Sequence, residues 1–454
     1  MLAAASSLPL AAAPSDARAV EFLIESQTLG DAYQLVTSGN ALLNRWQVHQ
    51  LLGLSLWETA DEKGLQHWSF TSLFRFDIDF GLTDAELRDV PSLNRSLPSI
   101  QYAWVDGKEL LGGTLDLRIG RQLMADAMDY LMFDGAKFAF KLPWHLGIEA
   151  HGGFEVKQSF WPLAATQLEL DGVRVIDGIE ADDRPTAVIG AALTTRDLPY
   201  ANYRLGYRRR FSGGAVDSEH VGLSFHQRIV EGLDLSGVVS WNLFNGVFDR
   251  VQGTARWRPV EHTELELQYV RLVPTFDADS IFNIFTAFPL NDGNLRWRFF
   301  PTENDRVYLG GMVRFFGNEN YAEGVLTAPI DTVVEAWGVM GGWVHTFGPK
   351  ARDGRVSVDV AWQDGYGGRR VLADVAGAWS LVPREWELEG RLTAVDFADA
   401  LQPERSALSM GYQLGARYLI ERRAAFALIF EHNMNAIQDH QLRLYAMVDL
   451  NLWL

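Results

Sequence analysis

Arg204, Arg208 and Arg210 stand at i, i+4 and i+6, so on a β-strand, where side chains alternate, all three leave one face. A guanidinium is always charged and holds a carboxylate or phosphate in a forked geometry, so a file of them can pass an anion along a row of weak sites. Arg118 extends the file. The same period-two reading puts Arg75, Arg256, Arg258, Arg296, Arg298, Arg391 and Arg417 on polar strand faces. Asp77, Asp79, Asp116, Glu149, Glu264 and Glu266 share those faces. Two readings of this array stand side by side: a wall that attracts acidic solutes, or opposite charges paired across neighbouring strands to stiffen the wall.

Other chemistries find little support. The chain has no cysteine, which excludes disulfides, thiolate metal ligands and a thiol nucleophile. Its ten histidines are scattered, and neither a G-x-S-x-G elbow nor an H-E-x-x-H helix occurs. His145, Glu149 and His151 share a face but span too far for one metal ion. No phosphate loop or dinucleotide fingerprint is present, so the chain reads as a non-enzyme without a cofactor. A net charge of −18 without a long basic run argues against nucleic acid.

The elements that carry these charges are strands. Phe70 to Phe80 places Phe74, Phe76, Ile78 and Phe80 on one face and Arg75, Asp77 and Asp79 on the other. Leu115, Leu117 and Ile119 oppose Asp116 and Arg118; Leu265, Leu267 and Tyr269 oppose Glu264, Glu266 and Gln268; Leu295, Trp297 and Phe299 oppose Arg296 and Arg298. From Leu442 to Leu454 an apolar residue recurs at every second position. One greasy and one polar face, repeated along 454 residues, is the pattern of a lipid-facing barrel. The mean hydropathy of −0.06 agrees, because only alternate residues need meet lipid. Aromatic content is 12%, with 15 Trp; Trp46, Trp57, Trp68, Trp241, Trp257, Trp343, Trp379 and Trp386 fall near expected strand ends, where interfacial girdles form.

Short Pro- and charge-bearing connections at 258–262, 301–305, 382–385 and 420–423 alternate with long polar ones at 157–185, 317–331 and 396–405. That asymmetry matches periplasmic turns and extracellular loops. The expectation is an all-β, antiparallel, up-and-down transmembrane β-barrel of about 18 strands, within roughly 16 to 22. Residues 1–19 resemble a secretory-signal remnant with an A-x-A site at Ala17 to Ala19, leaving 20–454 as one barrel domain. Residues 20–40 and 276–290 are ambiguous between strand and plug. The acidic tract Asp177, Glu180, Asp182 and Asp183 sits in the longest expected loop, solvated or placed for divalent cations that bridge lipopolysaccharide.

One pair of segments carries a resemblance. Arg118, Gly120, Arg121 and Gln122, followed by Phe133, Asp134, Gly135 and Phe138, are similar to a strand pair of Gram-negative porins and alginate-export-type barrels. The resemblance implies a bacterial outer-membrane protein that passes hydrophilic, anionic solutes through an aqueous lumen, embedded in outer-membrane lipid and lipopolysaccharide. Its alternative implication is an outer-membrane port for an anionic polysaccharide, working with periplasmic export partners. The lumen-lining candidates are Arg75, Asp77, Asp79, Asp116, Arg118, Arg204, Arg208, Arg210, Arg256, Arg296, Arg298 and Arg417.

Overall fold

The computed structural model describes residues 20–453 apart from 37–41, 59–67, 82, 85–95, 157–184, 276–288, 317–333, 349–352, 366–367, 383–384, 400–402, 404–405, 422 and 436–438. The secretory-signal stretch, the acidic tract and most of 276–290 therefore lie outside the described residues.

Twenty-two strands form one antiparallel sheet. The first ten are β1 (Val20–Val36), β2 (Leu42–Glu58), β3 (Trp68–Asp79), β4 (Ser96–Glu109), β5 (Leu115–Ala125), β6 (Tyr130–Leu142), β7 (Leu146–Glu155), β8 (Ala187–Thr195), β9 (Ala201–Ser212) and β10 (Ala215–Val230). The next six are β11 (Leu233–Asn242), β12 (Val247–Val260), β13 (Thr263–Leu272), β14 (Leu290–Phe299), β15 (Asp305–Phe316) and β16 (Val334–Phe347). The last are β17 (Gly354–Gly365), β18 (Gly368–Val382), β19 (Trp386–Asp399), β20 (Ala407–Ile420), β21 (Ala424–Met434) and β22 (Gln441–Trp453). Each pairs with its successor, and β1 closes the ring on β22 from Leu23↔Trp453 to Tyr33↔Arg443. Closure leaves no edge strand, which is what a sheet needs in a medium without hydrogen-bonding solvent.

The count corrects the sequence-based expectation of about 18 strands. Alternation of polar with apolar residues is the signal, and it fails where the inner face is small. In β8 (A-V-I-G-A-A-L-T-T) and β16 (V-E-A-W-G-V-M-G-G-W-V-H-T-F) glycine and alanine stand where a polar residue would announce the face. Residues 20–36, ambiguous from sequence, form a full wall strand that makes the closing seam, not a plug.

The two faces differ as barrel physics requires. Cross-strand neighbours such as Leu267↔Leu295 and Val375↔Leu392↔Tyr412 form an apolar ring whose side chains are exposed on the outside. Seven of the eight singled-out tryptophans are exposed near strand ends. Trp57 differs, lying on the face shared with Leu51 and Gly53. The four short turns all fall at one end of the barrel, with the start of β1 and the end of β22. The strand ends that border 156–186, 273–289 and 317–333 fall at the other. With strands ~4.8 Å apart and tilted by ~40°, 22 of them enclose a cylinder roughly 44 Å across between backbones.

Candidate functional site

Three inward arginines of β9 meet a turn that comes from four strands away. Asp126, Ala127, Met128 and Asp129 join β5 to β6 at the long-loop end, yet they touch β9 and β10. Along the wall that separation is about 19 Å. The turn bridges it by folding back into the concave side of the barrel as a latch.

Charge fixes its tip. Asp126 Oδ2 accepts from Arg208 Nη2 at 2.6 Å and from Arg204 Nη1 at 3.2 Å, while Oδ1 accepts from the Met128 amide at 3.0 Å and shapes the turn. Asp129 accepts from Arg210 Nη2 at 2.6 Å and pairs with Arg208 through its other oxygen. Glu149 takes Arg204 at 2.9 Å and Lys137 at 3.2 Å, and Glu155 lies 3.3 Å from Arg210. Arg208 is only 1% exposed, so these pairs work at low dielectric, where losing one partner is costly.

Packing fixes it as well. Ala127 and Met128 are buried against Gly206 and Gly222; a Cβ at Gly222 would stand 2.6 Å from Met128 Cγ and 3.0 Å from Ala127 Cβ. Met124, Leu131, Phe133 and Val188 form a fully buried apolar cluster inside the barrel beside the latch. His151 is buried among them, its ring 5.7 Å from that of Phe133, and both ring nitrogens lack a hydrogen-bond partner. Glu149, on the same strand, is engaged with Lys137 and Arg204, and His145 lies in a turn, so the three do not converge on a metal.

On the inner wall a recess of about 430 Å³ opens, lined among others by Lys108, Asp116, Arg118, Lys137, Arg196 and Arg204. Arg118 is forked onto Asp106 at 2.8 and 3.1 Å and lies 4.5 Å from the Trp104 ring centroid, whose indole N–H also donates to Asp106. Asp116 faces Lys141 at 3.4 Å and accepts the Glu109 amide. Lys108 is exposed on this recess.

The other candidates gather in smaller groups. Arg75 and His49 share Asp77, and Asp79 holds Gln47 at 2.9 Å with Arg45 at 3.6 Å. Arg256, Arg258 and Arg298 converge on Glu264 and Glu266, leaving three cations for two carboxylates, with Arg256 and Arg258 largely exposed. Arg296 packs over Tyr308, and Arg417 lies 4.0 Å from Glu387. The residues that sequence reasoning missed are Asp126, Met128, Asp129, Asp106 and Lys137. A methionine flanked by A and D in the segment A-D-A-M-D was the available signal, since an apolar turn tip needs something to bury it.

Arg121 belongs elsewhere. It forks onto Asp134 at 2.9 and 2.9 Å and donates to the Ile100 carbonyl at 3.1 Å, on the strand face that carries Ile119 and Leu123.

No protein-family model matches the chain, and no curated protein matches it. Among solved structures it is similar to Pseudomonas aeruginosa OpdK with vanillate, at 10% identity over 96% of this chain and 99% of that one, TM-score 0.45. It is also similar to a BenF-like porin from Pseudomonas fluorescens Pf-5 (7% identity, 96% and 99% covered, TM-score 0.42) and to Acinetobacter baumannii OccAB1 (9%, 96% and 97%, TM-score 0.42). Likenesses this loose decide nothing, and they lend no support to the alginate-export resemblance.

Proposed function

We propose that this chain is an outer-membrane channel, not an enzyme, that lets small hydrophilic solutes, anionic ones preferentially, cross through its lumen. The observation that carries the reading is the division of one closed sheet into an apolar outer belt and a charged inner wall. Such a sheet is stable only across a lipid layer, and an inner wall of ionised groups is stable only in contact with water. Among the described residues the β5–β6 latch lies against the inner wall, reaching β9 and β10. The solute meets an inner wall whose recess carries Lys108, Arg118 and Arg196 against Asp106 and Asp116, beside Lys137 and Arg204, which pair with Glu149. A second cationic excess sits at Arg256, Arg258 and Arg298. Both favour small carboxylates over cations of equal size.

The belt meets outer-membrane lipid, and its rim at the long-loop end meets lipopolysaccharide. Vanillate, the compound named with OpdK, is a small aromatic carboxylate and belongs to the solute class this wall would favour. No observation favours the export-port alternative.

Liposome swelling tests the reading. Vesicles bearing the refolded protein should swell faster in a small carboxylate than in its amide analogue of equal size. Lys108→Gln with Arg196→Gln should narrow that gap. Equal rates for acid and amide would contradict the anion preference, and absence of swelling would contradict the channel.

A further inference from the structure

We propose that Asp126 and Asp129 are specificity determinants: the latch masks the β9 arginines with its own carboxylates, so that charge selectivity is set by the turn and not by the arginine file. This rests on the channel reading above and names the residues that tune it.

The geometry is that of an internal ligand. Arg204, Arg208 and Arg210 stand on one face of one strand, and every one of them reaches a latch carboxylate. Adding Lys137 on one side and Glu149 with Glu155 on the other gives, among the described residues, four cations balanced by four carboxylates. Two of the four carboxylates come from the turn. A passing anion therefore meets no net attraction from β9 while the latch is docked.

The latch is also built to stay docked. Glycine at 206 and 222 leaves a flat seat for Met128 and Ala127, and a side chain at either position would intrude on it. Charge pairing and apolar seating are independent features of the sequence, and both hold the same four residues against the same two strands. Neutralising one Asp removes masking charge while leaving the seat. Filling the seat lifts the turn while leaving all charges in place.

Those two perturbations make the test. Single-channel reversal potentials are measured across a KCl gradient at low salt, where the Debye length is about 10 Å and wall charge is felt. Asp129→Asn, at the half-exposed end of the pair, should raise the chloride-to-potassium permeability ratio roughly twofold or more at nearly unchanged conductance. Gly222→Leu should shift the ratio in the same direction, because the lifted turn no longer holds its carboxylates on the β9 arginines. A heat-shifted electrophoretic band verifies that each barrel is folded.

A reversal potential unmoved in folded Asp129→Asn overturns the inference. So does a folded Gly222→Leu channel that is no more anion-selective than the unaltered protein, since the turn would then not have been screening the arginines. If the unaltered protein itself does not conduct, the channel reading fails and this inference with it, a result distinct from either of the others.

Discussion

Replacing Phe76 by arginine should cripple assembly, while removing the charge of its neighbour Arg75 should scarcely matter. Phe76 is 41% exposed on the outer face of β3 and pairs with Gln50. The level of the aromatic girdle is marked by exposed Trp46, whose carbonyl accepts the Phe80 amide. Four residues separate Phe80 from Phe76, about 13 Å along the strand and about 10 Å in depth at a ~40° tilt. In an apolar band about 25 Å tall, position 76 is close to the midplane, where a guanidinium costs about 2 to 4 kcal/mol. That lowers the folded-to-unfolded ratio by a factor of roughly 30 to 700. Arg75, one residue away, faces the lumen and pairs with Asp77 while 43% exposed. Losing that partly screened pair costs about 0.2 to 1 kcal/mol. Urea titration of the protein refolded into lipid vesicles, followed by tryptophan fluorescence, measures both. Equal stability of Phe76→Arg and the native protein, or greater damage from Arg75→Leu, would refute the assignment of faces.

Further outcomes follow from the same contacts. Asp134→Ala removes the carboxylate forked by the nearly buried Arg121 guanidinium, which keeps the Ile100 carbonyl, and should destabilise the barrel by up to about 3 kcal/mol, read from the same titration; a double change of Arg121 and Asp134 to Leu and Val should recover most of it. Gly120 has φ +129, and a Cβ there would stand 2.2 Å from the Ala103 carbonyl oxygen, so Gly120→Ala should lower stability by about 1 to 3 kcal/mol or more. At Gly135 a Cβ would come 2.1 Å from the Gly152 carbonyl oxygen; Gly135→Val should therefore block β6–β7 pairing and leave the chain unfolded on a heat-shift gel.

Much of the architecture was legible because lipid imposes a strict rule. Outer-face residues are predominantly apolar, so Phe74, Phe76 and Ile78, or Leu442, Leu444 and Ala446, announce both strand and facing, and the polar residues there are paired, as Arg121 is with Asp134. The short connections were legible for a similar reason, since turns such as 258–262 and 382–385 need Pro and charge, whereas 396–399 of the expected long stretch 396–405 continue β19. The glycines of the resembling segments were legible as points of close backbone approach, and Gly120 and Gly135 are that. Strand number was not legible, because inner faces tolerate Gly, Ala or Val, and β8 and β16 lose their alternation there. Nor was the latch: its contacts join Asp126 to Arg208 and Met128 to Gly222, pairs some 80 to 95 positions apart that no local period connects. The spacing of Arg204, Arg208 and Arg210 gives them one face of β9. Whether solute or carboxylate would occupy them depended on that distant turn, and the structure gives them carboxylates.

The most direct test of the account is single-channel recording of the refolded protein in a planar bilayer, with the reversal potential read across a salt gradient. The account predicts a steady conductance with a modest anion preference, because the recess and the Arg256–Arg258 group carry an excess of cations while those of β9 are balanced by carboxylates. A folded barrel that passes no current, or one that prefers potassium to chloride, would contradict it.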